Sequence, residues 1–379
     1  MGSKTPLFVL LLLSSVGMAF AGFWAGSRKA LAGPRERIDS FAKSETVGGV
    51  AGEKRAEMAL AYDDPARAER EMDGYTWAVA NMPTPFVGVA PSPGDHDCAH
   101  INAQQFRHPT DLVFPKPKDT FRVFVTGGST AFGTGAPSDD TTITAYLQEL
   151  VDEEFAGSPK HIEIVNAANP AWASTHERMW IATRLAEMEP DLVVSFSGNN
   201  DAHFAFLGLH VFSFRTYAEH FFTLLDSDVL EAVGRDPFPI PWNPSIDGPV
   251  PPAEVLRRIE VNLRLTAASL EPTGAPYLFV LQPTLATTKK ELTTREAAHL
   301  ASESLGEGCT DYFRRVYELY QTNLPHLDAP GFHFADASDA FDSATADEEI
   351  FLDSYHFGDR GNRVLAARLL EILRPHLPR

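Results

Sequence analysis

From Phe121 onward, short apolar runs alternate with longer amphipathic ones. Phe121–Thr126, His161–Val165, Asp191–Phe196, Tyr277–Leu281 and Gly331–Ala335 are apolar blocks of strand length. Between them, Thr142–Phe155, Ser174–Glu189 and Pro252–Leu270 space their apolar residues as helices do, and Asp359–Leu377 closes the chain as another helix. Strands separated by helix-length segments predict a parallel sheet with helices on both faces. The expected architecture is therefore a three-layer α/β/α doubly wound parallel sheet of flavodoxin-like type. Right-handed crossovers gather the strand C-terminal ends, and the loops leaving them, along one edge. A site belongs there.

The pattern upstream is mixed. Residues 28–118 read as a linker and N-terminal extension, with a charged helical stretch near Glu53–Glu71, loop-like sequence after it, and Pro115-Lys116-Pro117-Lys118 at its end. The sheet domain is then expected over 119–379, interrupted at about 203–251 by an insertion. That insertion is dense in rings (His203, Phe204, Phe206, His210, Phe212, Phe214, Tyr217, Phe221, Phe222, Trp242), which suits a small satellite core or a lid over the sheet edge. At the start, Thr5 to Ser27 carry no charge and Leu7–Leu13 is an apolar core. Residues 1–27 read as a signal peptide ending near Ala19-Phe20-Ala21, or as an uncleaved membrane anchor; a buried helix is the third option. Arg28, Lys29, Arg35 and Arg37 outnumber the basic residues before the segment, which weakens an orientation argument from charge. An exported, periplasmic or extracytoplasmic location follows, at the membrane if the segment stays attached.

Composition narrows the partners. At 44% hydrophobic and 22% charged residues the chain is globular, and its net charge of −19 repels phosphate backbones. Nucleic acid is excluded as a partner on that ground. Cys98 and Cys309 are the only cysteines, free to pair or to stay as buried thiols. His96, Cys98 and His100 alternate, and on one strand would share a face that could suit zinc, but a polar loop with chance spacing is the favoured reading. No metal or organic cofactor is expected.

Two segments carry chemistry. In Val-Thr-Gly-Gly-Ser-Thr-Ala-Phe-Gly, Ser129 follows two glycines at a strand-to-helix turn, where backbone N–H groups and a helix N-terminus favour developing negative charge. It could equally be a helix cap. A phosphate loop fails because Thr134, not Lys, follows Gly133. In Phe351-Leu-Asp-Ser-Tyr-His-Phe-Gly, Asp353 and His356 are three apart ahead of a helix, close enough to bond directly. A serine nucleophile needs such a base and a carboxylate that holds its tautomer. Asp201 beside Asn200 reads as a brace for its loop, and Lys289-Lys290-Glu291 as a solvated face.

Taken in order, Gly-Gly-Ser at 127–129, Val-Asn-Ala-Ala-Asn-Pro-Ala-Trp-Ala-Ser at 165–174, Gly-Asn-Asn-Asp at 198–201 and Asp-Ser-Tyr-His at 353–356 resemble the SGNH/GDSL hydrolase family over about residues 100–379. Asn102, Phe106-Arg107 and Phe121-Arg122 are similar to the lead-in of its membrane-tethered or exported branch. The resemblance implies Ser129 as nucleophile, His356 as general base and Asp353 as its orienting acid. It implies an oxyanion hole made by the N–H groups of Ser129 and Ala171 and the Asn200 side-chain amide, with Gly128, Gly198, Asp201 and Asn166 supporting. Two positions depart from the family pattern. Gly128 stands where many members carry Asp, and Ala171 where the family usually has Gly, so that a donor could be misplaced. The implied function is serine-dependent ester hydrolysis of O-acyl groups on a small molecule, saccharide or lipid. An O-acetyltransferase using the same triad and a silent envelope-binding module are the alternatives.

Overall fold

The computed structural model describes residues 52–75, 81–208, 230–231, 234–236 and 248–378. The chain divides into two units, 1–46 with 219–241 and 47–218 with 242–379, and everything below concerns the second. The N-terminal segment 1–27 and the insertion rings His210, Phe212, Phe214, Tyr217, Phe221, Phe222 and Trp242 lie outside the described residues. Among the described residues, no helix is long and apolar enough to cross a membrane.

Much of what reads as a linker is built into the sheet unit. Helix α1 (Gly52–Ala59) leads to α2 (Pro65–Glu71), which starts where the Asp64 carboxylate accepts the Arg67 N–H and Pro65 supplies a fixed first φ. Their buried residues Met58, Tyr62, Met72 and Tyr75 pack around Leu352, the residue before Asp353. The Tyr62 hydroxyl donates to the Gly135 carbonyl at 2.8 Å, and the Asp359 carboxylate accepts the Asp63 N–H at 2.9 Å. Two antiparallel hairpins follow, β1 (Asn81–Thr84) with β2 (Gly88–Pro91), and β3 (Gly94–His96) with β4 (Ala99–Ile101). The expected boundary at 119 thus marks the start of the sheet, whereas the packed unit begins earlier.

The sheet alternates with helices: β5 (Thr120–Gly127), α3 (Ser129–Phe132), α4 (Ile143–Glu154), β6 (His161–Asn166), α5 (Ser174–Thr183), β7 (Leu192–Ser197), α6 (Asn199–Phe206), α7 (Pro252–Leu270), β8 (Tyr277–Leu281), α8 (Thr294–Ala301), α9 (Cys309–Asn323), β9 (Phe332–Asp336) and α10 (Asp359–Leu373). All pairings are parallel, in the order β6-β5-β7-β8-β9. This is the doubly wound three-layer fold expected from the sequence.

Side-chain alternation divides the core. Val123, Val125, Val194 and Val280 face α4 and α10 through Leu147, Leu365 and Leu369. Phe124, Val193, Phe279 and Leu281 face α5, α7 and α9 through Trp180, Ile259 and Val316. Strands buried on both sides require apolar residues at successive positions, which is why these runs are continuous. The helix expected over Ser174–Glu189 ends at Thr183, and a 3-10 turn over Leu185–Met188 replaces its last part.

Gly358 joins α10 to the N-terminal helices at close quarters, since a Cβ there would lie 2.0 Å from the Ala61 carbonyl oxygen. Gly358→Ala is expected to destabilise the protein by about 1–3 kcal/mol, as overpacked sites do. Urea unfolding followed by circular dichroism checks this, and an unchanged midpoint would refute it.

Candidate active site

The strand β5 has β6 on one side and β7 on the other, and the chain leaves it toward opposite faces. At such a switch point the loops diverge and leave a crevice at the strand C-terminal ends. Ser129 opens α3 at that place, one residue past Gly128. The carbonyls at the far end of this one-turn helix are held from outside. Asn166 donates its amide to the Ala131 and Phe132 carbonyls at 3.2 Å each and to the Thr144 hydroxyl at 3.1 Å. Buried Arg107 donates to the Phe132 and Gly133 carbonyls at 3.2 and 3.0 Å, to the Cys98 carbonyl at 2.6 Å, and to Asp139 at 2.7 Å. The turn bearing Ser129 is therefore fixed by side chains from two other segments.

The loop ahead of α10 brings Asp353 and His356 to Ser129. Asp353 Oδ1 accepts the N–H groups of Tyr355 and His356 at 2.8 and 3.0 Å, closing a tight turn. Its Oδ2 then meets His356 Nδ1 at 2.7 Å, and His356 Nε2 lies 2.7 Å from Ser129 Oγ. Burial pushes the Asp353 carboxyl up, but the neighbouring imidazole and the two N–H donors outweigh it, holding the group well below the usual carboxylate range. Asp353 is thus ionised at neutral pH and bonded at both oxygens.

Asn200 lies in the first turn of α6, after Gly198 in a left-handed conformation (φ +113°). Its Nδ2 donates to the Trp172 carbonyl at 2.7 Å. A Cβ on Gly128 would come within 2.4 Å of that nitrogen, so the Asn200 amide lies directly over the Ser129 turn. Ala171 is also left-handed, with φ +64°, a strained state for a residue with a side chain. Asp201 braces the loop from behind, accepting the Ser174 N–H at 3.0 Å and the Ser174 hydroxyl at 2.6 Å. Deeper in that layer Glu177 is fully buried. Burial pushes its carboxyl up to about 7, against the opposing effect of the Ser197 and Ser195 hydroxyls.

All the residues singled out from the sequence at Ser129, Asn166, Asn200, Asp353 and His356 lie at this sheet edge. Several others were given no role at the site. Gln282 donates to the Thr130 hydroxyl at 3.1 Å, and that hydroxyl donates to the Tyr355 carbonyl at 3.2 Å, tying the serine turn to the histidine loop. His203 Nδ1 and the Tyr355 hydroxyl, 3.1 Å apart, link α6 to the same loop. Gln282 follows β8 directly, and a polar residue just past a buried strand is the signal that could have found it.

Three further positions singled out in the sequence are placed as follows, and the last of them is a correction. His96 and His100 lie on opposite strands of a hairpin with a turn between them, so they do not alternate along one strand. Their ring nitrogens meet the Ser92 carbonyl and Asp95 instead, and among the described residues no three His, Cys, Asp or Glu side chains gather as a metal site. Cys98 and Cys309 are both free thiols. Lys290 is not solvated but buried against Glu296.

No family model and no curated protein matches the chain. Among solved structures it is similar to TesA (17% identity, TM-score 0.36), with 68% of this chain and 99% of that one covered. It is also similar to Axe2, an acetylxylan esterase from Geobacillus stearothermophilus (14% identity, TM-score 0.38, 67% of this chain and 95% of that one). A third is a protein of the G-D-S-L family from Desulfitobacterium hafniense DCB-2 (13% identity, TM-score 0.35, 66% of this chain and 99% of that one).

Two measurements test the site as a physical object. Ala171→Gly relieves a left-handed Cβ and is expected to stabilise the fold by up to about 1 kcal/mol in urea unfolding; a loss of stability would show that the Cβ is not strained. Glu177 titrates higher folded than unfolded, so the unfolded chain ionises first as pH rises and stability drains away through pH 7. Glu177→Gln removes that drain. Its stability relative to wild type is expected to be more favourable at pH 8 than at pH 5, by at most about 3 kcal/mol, and equal differences at both pH values would contradict it.

Proposed function

We propose that this chain is a serine-dependent ester hydrolase of SGNH type. The observation that carries the reading is the continuous relay from Asp353 through His356 to Ser129, with both hydrogen bonds at 2.7 Å. An imidazole held in one tautomer by an ionised, half-buried carboxylate can take the Ser129 proton as Oγ attacks an ester carbonyl. The developing oxyanion then meets the Ser129 N–H at the head of α3, the Ala171 N–H and the Asn200 amide. The Asn200 nitrogen carries two hydrogens, one for the Trp172 carbonyl and one for the oxyanion. Collapse expels the alcohol, which receives the proton from His356. Water, deprotonated by the same imidazole, releases the acyl group from Ser129.

The acid needed to balance the imidazolium is already ionised, so no further group must titrate for the first step. The substrate class is O-acyl esters. The charge-free stretch Thr5–Ser27 supports an envelope location, and with it acetylated saccharide or lipid as the natural ester.

Hydrolysis of a short-chain aryl acetate by the purified protein tests this. Ser129→Ala is expected to fall to background, and Asp353→Asn to lose about ten-thousandfold in kcat because the imidazole takes the wrong tautomer. Gly128→Ala, by displacing the Asn200 amide, is expected to lose about a hundred- to a thousandfold. Equal rates for wild type and Ser129→Ala would remove the nucleophile and the reading with it.

A further inference from the structure

Lys290 and Glu296 are fully buried and 2.8 Å apart. A buried ion pair is weak evidence for stability, because desolvation offsets the attraction. Its place here has another explanation in what Glu296 holds. Oε1 accepts the backbone N–H groups of Ile350 and Phe351 at 3.0 Å each. Oε2 takes the Lys290 ammonium at 2.8 Å and the Thr293 N–H at 3.1 Å. Arg295, the preceding residue of α8, donates to the Leu352 carbonyl at 2.9 Å and to the Phe351 carbonyl, and pairs with Glu349. Glu349 also accepts the Thr293 hydroxyl at 2.6 Å. Every residue from 349 to 352 is thus gripped by the start of α8, and the next residue is Asp353. Burial pushes the Glu296 carboxyl up, but Lys290 and the N–H donors outweigh it, so the group stays charged in its role as acceptor.

We infer that Glu296 and Arg295 are positioning residues for the triad: the start of α8 sets the height of the 349–352 run and thereby the alignment of Asp353 on His356. This rests on the serine-hydrolase reading of the site. The charge on Lys290 keeps Glu296 ionised, and Glu296 pins two N–H groups that would otherwise be free to shift. The turn at Asp353 is only four residues long, so a displacement at its root passes directly to the imidazole.

Two double variants separate this role from bulk stability. Lys290→Met with Glu296→Ala removes both charges together and leaves the Ile350 and Phe351 N–H groups without an acceptor. Lys290→Met with Glu296→Gln also removes both charges, yet its amide oxygen can still accept both N–H groups. With each protein assayed below its own melting temperature, the alanine variant is expected to lose about ten- to a hundredfold in kcat with KM nearly unchanged, as small misplacements do. The glutamine variant is expected to recover most of that loss. Arg295→Lys, which keeps a charge for Glu349 but not the fork to two carbonyls, is expected to fall between them. A second readout is the far-downfield proton resonance of the bond between His356 Nδ1 and Asp353, expected in wild type and the glutamine variant and lost or shifted in the alanine variant. Wild-type kcat and an unmoved resonance in a folded alanine variant would overturn the inference, as would a glutamine variant no better than alanine. The resonance tests the clamp even if wild type hydrolyses no ester, an outcome that would overturn the hydrolase reading instead.

Discussion

At β5 the winding of the sheet reverses, and the loops on either side part because their helices pack on opposite faces. That reversal lets Ser129, Asn200 and His356, far apart in sequence, share a small volume. Each arrives from a different strand end: Ser129 from β5, Ala171 from β6, Asn200 from β7 and Gln282 from β8. The histidine loop comes last, after β9, and is carried across the edge until Thr130 can reach the Tyr355 carbonyl. Changing the strand order would leave the same side chains without a common site.

Given that placement, the chemistry depends on how few conformations the loops can adopt. Loops carry buried polar backbone groups that must be paired, and here the pairing does positional work. Asn166 and Arg107 occupy the carbonyls of α3, Asp201 takes both donors of Ser174, and Glu296 takes the N–H groups leading to Asp353. Each of these side chains is buried and polar, the kind of residue that a core designed for stability alone would avoid. Most of their partners are backbone atoms of the loops at the sheet edge, with one side chain each besides. That distribution ties the cost of polar burial to the geometry of the site.

The strands and most helices were legible because a strand buried on both faces leaves a run of apolar residues that little else produces. The triad candidates were legible because their spacing and order repeat a known pattern, and because Asp353 and His356 are close enough in sequence for direct bonding. What escaped was long-range. The stretch 52–118 has no strong periodicity, and its ties, such as Tyr62 to Gly135 and Asp63 to Asp359, join positions far apart in sequence. Lys290 was misread for a related reason. A charge run looks the same whether its partner is water or a buried carboxylate, and Glu296, which partners it here, is one turn into the next helix. The histidines near Cys98 show that alternation in sequence means a shared face only if no turn intervenes.

Gly128 and Ala171 belong to one chain of contacts. The left-handed backbone at Ala171 precedes Trp172, whose carbonyl holds the Asn200 amide at 2.7 Å. That amide then fills the space a side chain at 128 would need, 2.4 Å from where its Cβ would be. A residue larger than glycine at 128 and the present seat of Asn200 are mutually exclusive. The strain at Ala171 is thus kept by a chain of contacts that ends on the serine turn, which is how a conformation costing on the order of 1–2 kcal/mol persists where a glycine would relieve it. The contacts around Trp172 hold residue 171 left-handed against the preference of its methyl group, and the glycine at 128 leaves room for the amide seated on the Trp172 carbonyl.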